Sequence, residues 1–245
     1  MKEFGEYYAP SVARTIAAGE TQTFEYRGLS GGLFAANRFL ASAQNPEALK
    51  EITVTAKTNQ GRDTWFENVQ LMSLKRLFEN RSFAGGIVIE ENKSLELQVT
   101  NKSDESQYIS ITLNGYDQPE YLDKIAEYEE KGRSLPVPQF SYGSAIVAAG
   151  ADQQRIVMSL PTADTELARI AISSTGENNM IVSFNVDNQR IFPERFVDSL
   201  NDEFRMKSII EPVLLKKNLQ FEAFVSNIGA VNQDEVSIIA ETYQV

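Results

Sequence analysis

The chain has 245 residues, of which 42% are hydrophobic, and it contains neither cysteine nor histidine. These absences exclude disulfides, thiolate nucleophiles, imidazole general bases and the usual zinc ligand sets, and with them most hydrolase and oxidoreductase mechanisms. A formal net charge of −11 opposes contact with phosphate backbones, so direct nucleic-acid binding is not expected.

Residues 1–15 are predicted to form an N-terminal arm. The opening MKEFGEYYAP carries charges where a signal peptide needs an apolar stretch, and no window of the chain approaches the roughly 18 apolar residues of a membrane-spanning helix. Synthesis in the cytoplasm is therefore expected. The arm carries Phe4, Tyr7 and Tyr8 among charged residues; either it reaches a neighbouring subunit or a membrane surface, or it is a frayed terminus.

Most of the remaining chain alternates apolar and polar residues, which is typical of half-buried β-strands. The alternating segments are spread over both halves of the chain, at 52–57, 95–100, 109–113, 180–186, 221–225 and 236–240. Residues favoured in turns separate such segments at 59–61, at Asn114-Gly115 and at Asp187-Asn188. The pattern predicts an all-β protein.

Two short amphipathic helices interrupt the strands. Apolar residues spaced by three and four predict a helix between Glu67 and Phe78. A similar stripe predicts a second helix from Pro193 to Phe204, where Pro193 suits the first helical turn.

These elements are parts of a sequence duplication. Residues 66–101 align without a gap with residues 192–227, with about nine identities in roughly 36 positions. Upstream, Ile16-Ala-Ala-Gly19 resembles Val147-Ala-Ala-Gly150. Two unrelated β domains could share the same alternation of apolar and polar residues, but a shared order of strand, helix and strand is harder to obtain by accident. We therefore predict two tandem copies of one β-sandwich domain. The identities include Phe66 with Phe192, Ser73 with Ser199, Phe78 with Phe204 and Asn101 with Asn227.

A different kind of segment separates the copies. Residues 119–131 predict a helix with one apolar side that stops at Gly132, and the prolines of the following SLPVP favour an extended strap. The helix is either a spacer that sets the angle between the copies or a solvated linker with one packed face. The predicted divisions are 16–118 for the first domain, 119–145 for the linker helix and strap, and 146–245 for the second domain.

The carboxylates and glycines indicate no catalytic or cofactor site. Neighbouring acids such as Glu90-Glu91 and Glu129-Glu130 point away from each other on a strand or a helix, so they cannot act as a glycosidase pair. The glycines at 28, 31, 32, 85 and 86 lack the spacing of a phosphate-binding loop and are expected in turns or bulges. We predict that the protein is not an enzyme and needs no cofactor.

Two further groups have alternative interpretations. Asp198, Asp202 and Glu203 could hold a calcium ion, but they lack the ordered ligand spacing of known calcium motifs, so no metal site is assigned. Trp65 and Phe66 could belong to a sugar-binding platform. Phe192, at the position that matches Phe66, favours packing as buried anchors instead.

The arrangement resembles the small double jelly-roll major capsid proteins of tailless bacteriophages with an internal membrane, the corticovirus-like group. The likeness is carried by Asn185–Arg190, a strand and turn before a short helix, and by the helix-to-strand passage 201–225. In the first copy it covers residues 60–100, including Leu77-Phe78-Glu79-Asn80 and the following Gly85-Gly-Ile-Val-Ile89.

The resemblance implies a fold of two tandem jelly rolls and a structural role in a virion. Three chains around a threefold axis would place six similar domains in a pseudo-hexameric tile of an icosahedral shell. The implied partners are further copies of the chain, with other virion proteins or an internal membrane, after synthesis in the host cytoplasm. The chain is short for the family, so a minor virion protein of similar fold is an alternative to the major capsid protein. The alternative function is a viral spike or a carbohydrate-binding double β-sandwich module.

Overall fold

The computed structural model describes residues 10–30, 32–58, 63–79, 82–159, 163–206, 213–217 and 219–244. In these residues the chain forms sixteen antiparallel β-strands and three α-helices. Helix α1 (Leu71–Phe78) follows the fifth strand, α2 (Gln118–Glu130) follows the eighth and α3 (Val197–Met206) follows the thirteenth. None of the helices described is long and apolar enough to cross a bilayer.

The first eight strands form two four-stranded sheets, ordered β1-β8-β3-β6 and β2-β7-β4-β5. We call this unit the first roll. Along the chain the strands alternate between the two sheets, except that β4 and β5 are neighbours in one sheet, and this is the strand order of an eight-stranded jelly roll. The strands are β1 (Ser11–Ile16), β2 (Thr21–Arg27), β3 (Phe34–Ala43), β4 (Ile52–Thr58), β5 (Asp63–Gln70), β6 (Ile87–Ile89), β7 (Ser94–Asn101) and β8 (Gln107–Asp117).

The second eight strands, the second roll, repeat this topology. Their sheets are ordered β9-β16-β11-β14 and β10-β15-β12-β13, which is the first pattern with eight added to every strand number. The protein is therefore a double jelly roll, and the all-β prediction is confirmed. The strands are β9 (Pro138–Val147), β10 (Gln154–Val157), β11 (Thr165–Ser174), β12 (Met180–Val186), β13 (Gln189–Phe196), β14 (Val213–Leu215), β15 (Phe221–Asn227) and β16 (Asp234–Gln244).

Each roll has its own apolar core, built from the inward side chains of its two sheets. Strand β7 shows the principle, because its residues are alternately half-buried and buried along its whole length. Leu95, Leu97 and Val99 point into the first core, whereas Glu96 and Gln98 face outward. Burying each large apolar side chain stabilises the fold by about 1.5–3 kcal/mol, which is why alternation in the sequence selects one face of each strand.

The duplication is visible in individual hydrogen bonds. The Asn101 side-chain amide donates to the carbonyl of Ile16 at 3.0 Å, and the Asn227 amide donates to the carbonyl of Val147 at 3.3 Å. In both rolls the asparagine Oδ1 accepts from the backbone amide two residues later, at 3.1 and 2.9 Å. The asparagine and the Ala-Ala-Gly turn were matched separately in the sequence, and in the structure they contact each other in both rolls.

Register irregularities also recur at matched places. The β3–β8 ladder shifts register between Ala36 and Arg38, and the β11–β16 ladder shifts between Leu167 and Arg169. A bulge at the same point in both rolls identifies Arg38 and Arg169 as matched residues.

The loops that follow these strands match as well. The backbone amide of Gln44 donates to the carbonyl of Tyr108 at 2.9 Å, and that of Thr175 donates to the carbonyl of Glu235 at 3.1 Å. Tyr108 of β8 and Glu235 of β16 therefore hold the same position in the two rolls. These matches allow each contact in one roll to be compared with its counterpart in the other.

The helices begin later than predicted, and this is a correction. Residues 67–70 complete strand β5, so α1 begins at Leu71, and Pro193 lies within β13, so α3 begins at Val197. Both strands carry bulges, with Asn68 at a φ of 50°, and a bulge turns the strand period of two into a local spacing of three. Proline is tolerated in β13 because this strand is at the edge of its sheet.

The predicted turns have different outcomes. Asp187 and Asn188 form the tight turn between β12 and β13, with φ values of 48° and 63°. Asn114-Gly115 is not a turn but lies within β8, where a Cβ on Gly115 would come within 2.2 Å of the carbonyl oxygen of Ala35. The segment 59–61 lies outside the described residues.

The strands extend into the segments predicted as arm and linker. Strand β1 begins at Ser11, inside the predicted arm, and β9 begins at Pro138, inside the predicted strap. Helix α2 forms where a helix was predicted, is capped by the Asp117 carboxylate through the Glu120 amide at 3.0 Å, and packs on β8 and β3. Residues 1–9, with the aromatic residues of the predicted arm, lie outside the described residues.

Candidate functional site: the interface between the two rolls

Helix α1 lies between the two rolls. It packs on β3 of the first roll and on β11 and β16 of the second. Six of its eight residues are buried, because the helix is covered on two sides. An amphipathic surface helix would expose its polar face, so the burial of Ser73 marks α1 as part of an interface. We call the contact of α1 and β5 with the second roll the inter-roll interface.

A group of buried hydroxyl and amide groups forms the centre of this interface. Ser73 Oγ lies 2.7 Å from Ser173 Oγ and donates to the carbonyl of Ser237 at 2.9 Å. The Gln70 backbone amide donates to Ser237 Oγ at 2.9 Å, and the Gln70 side-chain oxygen accepts from Ser173 Oγ. All four side chains are fully buried. Because unpaired buried polar groups are costly, this network fixes one position of α1 on the second roll.

An arginine–glutamate pair closes one side of the interface. Arg76 of α1 makes a two-pronged contact with Glu177, with Nη1–Oε1 at 2.6 Å and Nη2–Oε2 at 3.0 Å. Arg76 Nη1 also donates to the carbonyl of Ile172 at 2.7 Å, and Lys50 Nζ lies 3.2 Å from Glu177. The Glu177 side chain is only 9% exposed. A bidentate pair of this kind is directional, so it resists rotation of one roll against the other.

Two matched arginines bind the C-terminal end of α1. Arg38, from the first roll, donates to the carbonyls of Phe78 and Glu79 at 3.2 and 2.9 Å. Arg169, from the second roll, donates to the carbonyl of Leu77 at 3.0 Å. Cations satisfy the free carbonyls and the negative end of a helix. The two arginines hold matched positions in the two rolls, and both bind the same helix, α1.

An aromatic cluster completes the contact. Phe140 of β9 belongs to the second roll, yet its ring packs on Phe66 and Phe83 of the first, with centroid distances of 5.5 and 5.3 Å. Trp65 packs edge-on against Phe140 at 6.4 Å, and its indole NH donates to Thr58 Oγ1 at 3.2 Å. Trp65 is thus partly buried as a packing anchor, the interpretation that the sequence favoured.

Ionisation of Glu177 depends on this interface. Burial opposes the charged form, but hydrogen bonds from Arg76 and the charges of Arg76 and Lys50 outweigh burial and hold the pKa of Glu177 below its usual value of 4.5. Asp198 of α3, 3.9 Å from Arg76, has the opposite tendency, because burial and the Glu177 charge raise its pKa. A carboxylate whose pKa is lower in the folded state stabilises the fold above the unfolded pKa. That stabilisation is lost as the pH falls through the folded pKa.

Substituting Glu177→Gln is expected to remove this pH-dependent contribution. The variant should be less stable than the wild type at about pH 7, and the difference should shrink as the pH falls below about 4.5. Urea unfolding followed by circular dichroism over this range measures the difference. Glu25→Gln, at an exposed surface pair with Arg27, is the control and should show little effect. A constant difference across the range would contradict the prediction.

The other residues singled out in the sequence do not meet in one site. Glu90 pairs with Lys93 on the surface, Glu129-Glu130 is exposed on α2, and Asp202 is exposed on α3. The side chain of Glu203 lies outside the described residues. Within the described part of the chain, no three histidine, cysteine, aspartate or glutamate side chains are grouped to hold a metal ion.

An open cleft of about 1070 Å³ lies at one end of the sheet containing β2 and β7. Its lining mixes acids such as Glu25 and Glu96 with bases such as Arg27 and Lys93, and none of the lining residues that the structure describes is aromatic. Mixed charges in an open, polar cleft give no stacking surface for a sugar ring.

Sequence reasoning did not find the inter-roll interface. Ser73 lies outside the apolar stripe of the predicted helix, where an exposed serine is expected, so its only signal in the sequence is the identity with Ser199. The hydrogen-bond partner of Ser73 lies 100 residues away in the chain, and no local pattern reports a contact at that separation.

No protein family and no curated protein matches the sequence. Among solved structures, the chain is similar to the major capsid protein P2 from bacteriophage PM2, with 10% identity, a TM-score of 0.44, and coverage of 96% of this chain and 98% of that chain. It is also similar to a chain in the atomic structure of Sulfolobus turreted icosahedral virus. That match has 14% identity, a TM-score of 0.46, and coverage of 98% of this chain and 91% of that chain. Both TM-scores are below 0.5, so the fold assignment rests on the strand order of the two rolls.

Proposed function

We propose that the chain is a structural subunit of a virion shell, a capsid protein whose copies assemble with one another. The observation that carries this proposal is the repetition of one eight-stranded jelly roll, with the two rolls joined through a helix that is buried on two sides. Jelly rolls occur in viral capsid proteins, lectins and cupins. The chain has no histidine, the residue type that most often binds metal in proteins, which disfavours a metal-dependent member of these classes.

The duplicated fold supports assembly into rings. Within one chain, the α1 side of the first roll contacts the β9–β16–β11 side of the second roll. The second roll has its own α3 side, and the first roll has its own β1–β8–β3 side. When neighbouring rolls contact each other through two different sides, they form a closed ring if the rotation from one roll to the next divides a full turn evenly. Three chains would then supply six similar rolls, which form a pseudo-hexameric trimer that can tile an icosahedral shell.

In this proposal the inter-roll interface has a mechanical role. Its serines, the Arg76–Glu177 pair and the Phe140 ring hold the two rolls in one relative orientation. A tile subunit needs a fixed orientation, because an error in the angle within a chain is repeated three times around the ring. No catalytic residue is required.

The proposal includes the role of major capsid protein, location in the virion after synthesis in the host cytoplasm, and contacts with other virion proteins or an internal membrane. It also includes the division into an arm, two domains and a linker. A sugar-binding role is less well supported, since Trp65 packs against Phe140 and the described lining of the polar cleft has no aromatic residue.

The test is the assembly state of the purified full chain. Light scattering should give three times the mass of one chain, and negative-stain images should show particles with a hexagonal outline. A chain that stays monomeric over a wide range of concentration and ionic strength would overturn the proposal.

A further inference from the structure

Among the side chains that the structure describes, four large apolar ones are exposed on the two sides that the rolls do not use within the chain. On the second roll, Phe196 is 43% exposed and Ile228 is 56% exposed; together with the exposed Ser199 we call them the α3 surface. On the first roll, Leu40 is 38% exposed and Tyr108 is 50% exposed. With Ser42 and Ser110 they form what we call the β3–β8 surface. Exposed apolar side chains grouped with polar ones are typical of interaction sites.

The α3 surface matches residues that already make the inter-roll interface. In the aligned copies, Phe196 holds the position of Gln70, Ser199 that of Ser73, and Ile228 that of Lys102. The last match is supported by the backbone, because the amides of Lys102 and Ile228 donate to the matched carbonyls of Glu51 and Asn179, both at 2.9 Å. Gln70, Ser73 and Lys102 are three of the residues through which the first roll contacts the second.

The β3–β8 surface matches the side of the second roll that receives α1. Ser42 pairs with Ser110 across β3 and β8, as Ser173 pairs with Ser237 across β11 and β16. Counting from these pairs, Leu40 holds the position of Ala171, and Tyr108 that of Glu235. Ala171 is buried within the core cluster of the first roll, whereas its counterpart Leu40 is exposed.

Applying the geometry of the inter-roll interface to these two surfaces brings complementary residues together. Within the chain, Lys102 Nζ lies 2.7 Å from Glu235 Oε1, and Gln70 Nε2 donates to the carbonyl of Glu235 at 3.3 Å. At the matched places, Ile228 and Phe196 would both lie against Tyr108. The charged pair Lys102–Glu235 within the chain thus corresponds to an apolar pair, Ile228–Tyr108, between the two exposed surfaces.

The central hydroxyl contact is kept. Ser73 and Ser173 are in hydrogen-bond contact within the chain, and their counterparts Ser199 and Ser42 are also serines. Ser199 and Ser42 are exposed in the single chain. Compared with the inter-roll interface, both members of the charged pair are replaced by apolar residues, and both members of the serine pair are kept. The two exposed surfaces are therefore complementary to each other.

We propose that the α3 surface of one copy binds the β3–β8 surface of a second copy and repeats the inter-roll interface between chains. The partner is thus a second copy of this chain, and the contact joins different sides of the two copies. This inference rests on the proposed assembly function, and it names the residues that make the contact.

The first test exchanges charges at Tyr108 and Ile228. Tyr108→Glu alone and Ile228→Lys alone should each raise the concentration needed for assembly at least about tenfold, because a charge would be buried opposite an apolar side chain. The double variant Tyr108→Glu with Ile228→Lys recreates the Lys102–Glu235 pair and should restore assembly. Val157→Glu, an exposed apolar position on β10 outside the proposed contact, is the matched control and should assemble normally.

Sedimentation velocity of the wild type and the variants separates the outcomes. A monomeric wild type would overturn both the assembly function and this inference. A trimeric wild type whose single variants also form normal trimers would overturn the inference alone, since another surface would then make the trimer. Single variants that dissociate without rescue by the double variant would overturn the pairing of Tyr108 with Ile228. Circular dichroism of each variant verifies folding.

A second measurement does not depend on added charges. The chain has no native cysteine, so Ser42→Cys with Ser199→Cys introduces one candidate pair between copies. Mild oxidation should convert this variant into covalent dimers and trimers on non-reducing gels, whereas either single cysteine should give no trimer. Ser73→Cys with Ser173→Cys is the positive control and should form a disulfide within one chain. Failure of the Ser42–Ser199 pair to cross-link, with the control cross-linked, would contradict the inference.

Discussion

Replacing Phe140 by alanine is expected to destabilise the protein by about 3–5 kcal/mol, the range for removing a buried aromatic side chain. Phe140 is 6% exposed, and the aromatic rings that it contacts belong to the other roll. The cavity would therefore open between the rolls and not inside one core. Urea unfolding followed by circular dichroism measures the loss.

A double-mutant cycle tests whether the loss arises at the interface. Phe66→Ala combined with Phe140→Ala should show a coupling energy of about 0.5–1.5 kcal/mol, because the two rings are in edge contact at 5.5 Å. Phe184→Ala is the control, since this ring stacks on Phe221 in the separate core of the second roll. Phe66→Ala and Phe184→Ala should be additive. Additivity for Phe66 and Phe140 as well would show that the two rolls do not stabilise each other there.

Replacing Arg76 by alanine is expected to cost about 3 kcal/mol of stability. The substitution leaves Glu177 in a largely buried place with Lys50 as its remaining close cation, and it leaves the Ile172 carbonyl without the Arg76 donor. Breaking a buried pair by removing one partner is costly because the other charge stays buried. Thermal or urea unfolding gives the magnitude.

The control for Arg76 is another arginine–glutamate pair in a different environment. Arg27 pairs with Glu25 on the surface, where the two side chains are 77% and 43% exposed, and Arg27→Ala should change stability little. Arg76→Lys keeps the charge but loses the two-pronged geometry, so it should fall between the wild type and the alanine variant. Equal effects of Arg76→Ala and Arg27→Ala would contradict the role given to the inter-roll interface.

Sequence reasoning was most successful where structure depends on neighbouring residues. The alternation in β7, the turn at Asp187-Asn188 and the helix before Gly132 all follow from local geometry, and all three are present. The error at Pro193 arose because proline suits a first helical turn but is also tolerated in an edge strand such as β13, whereas the error at 67–70 comes from a bulge. A bulge adds a residue to an edge strand, so that Phe66 and Val69 both face the core at a spacing of three, which is also typical of a helix.

By itself, the sequence determined that the protein is all-β, that it contains one domain twice, and that it lacks cysteine and histidine chemistry. These properties depend on residue types and on short periods along the chain. Only the tertiary structure decided the arrangement of the two rolls, because the contacts that fix it join residues about 100 to 170 positions apart, such as Ser73 with Ser173 and Gln70 with Ser237. Alignment could pair Ser73 with Ser199, but the three-dimensional contact was needed to see that one is buried in an interface and the other is exposed.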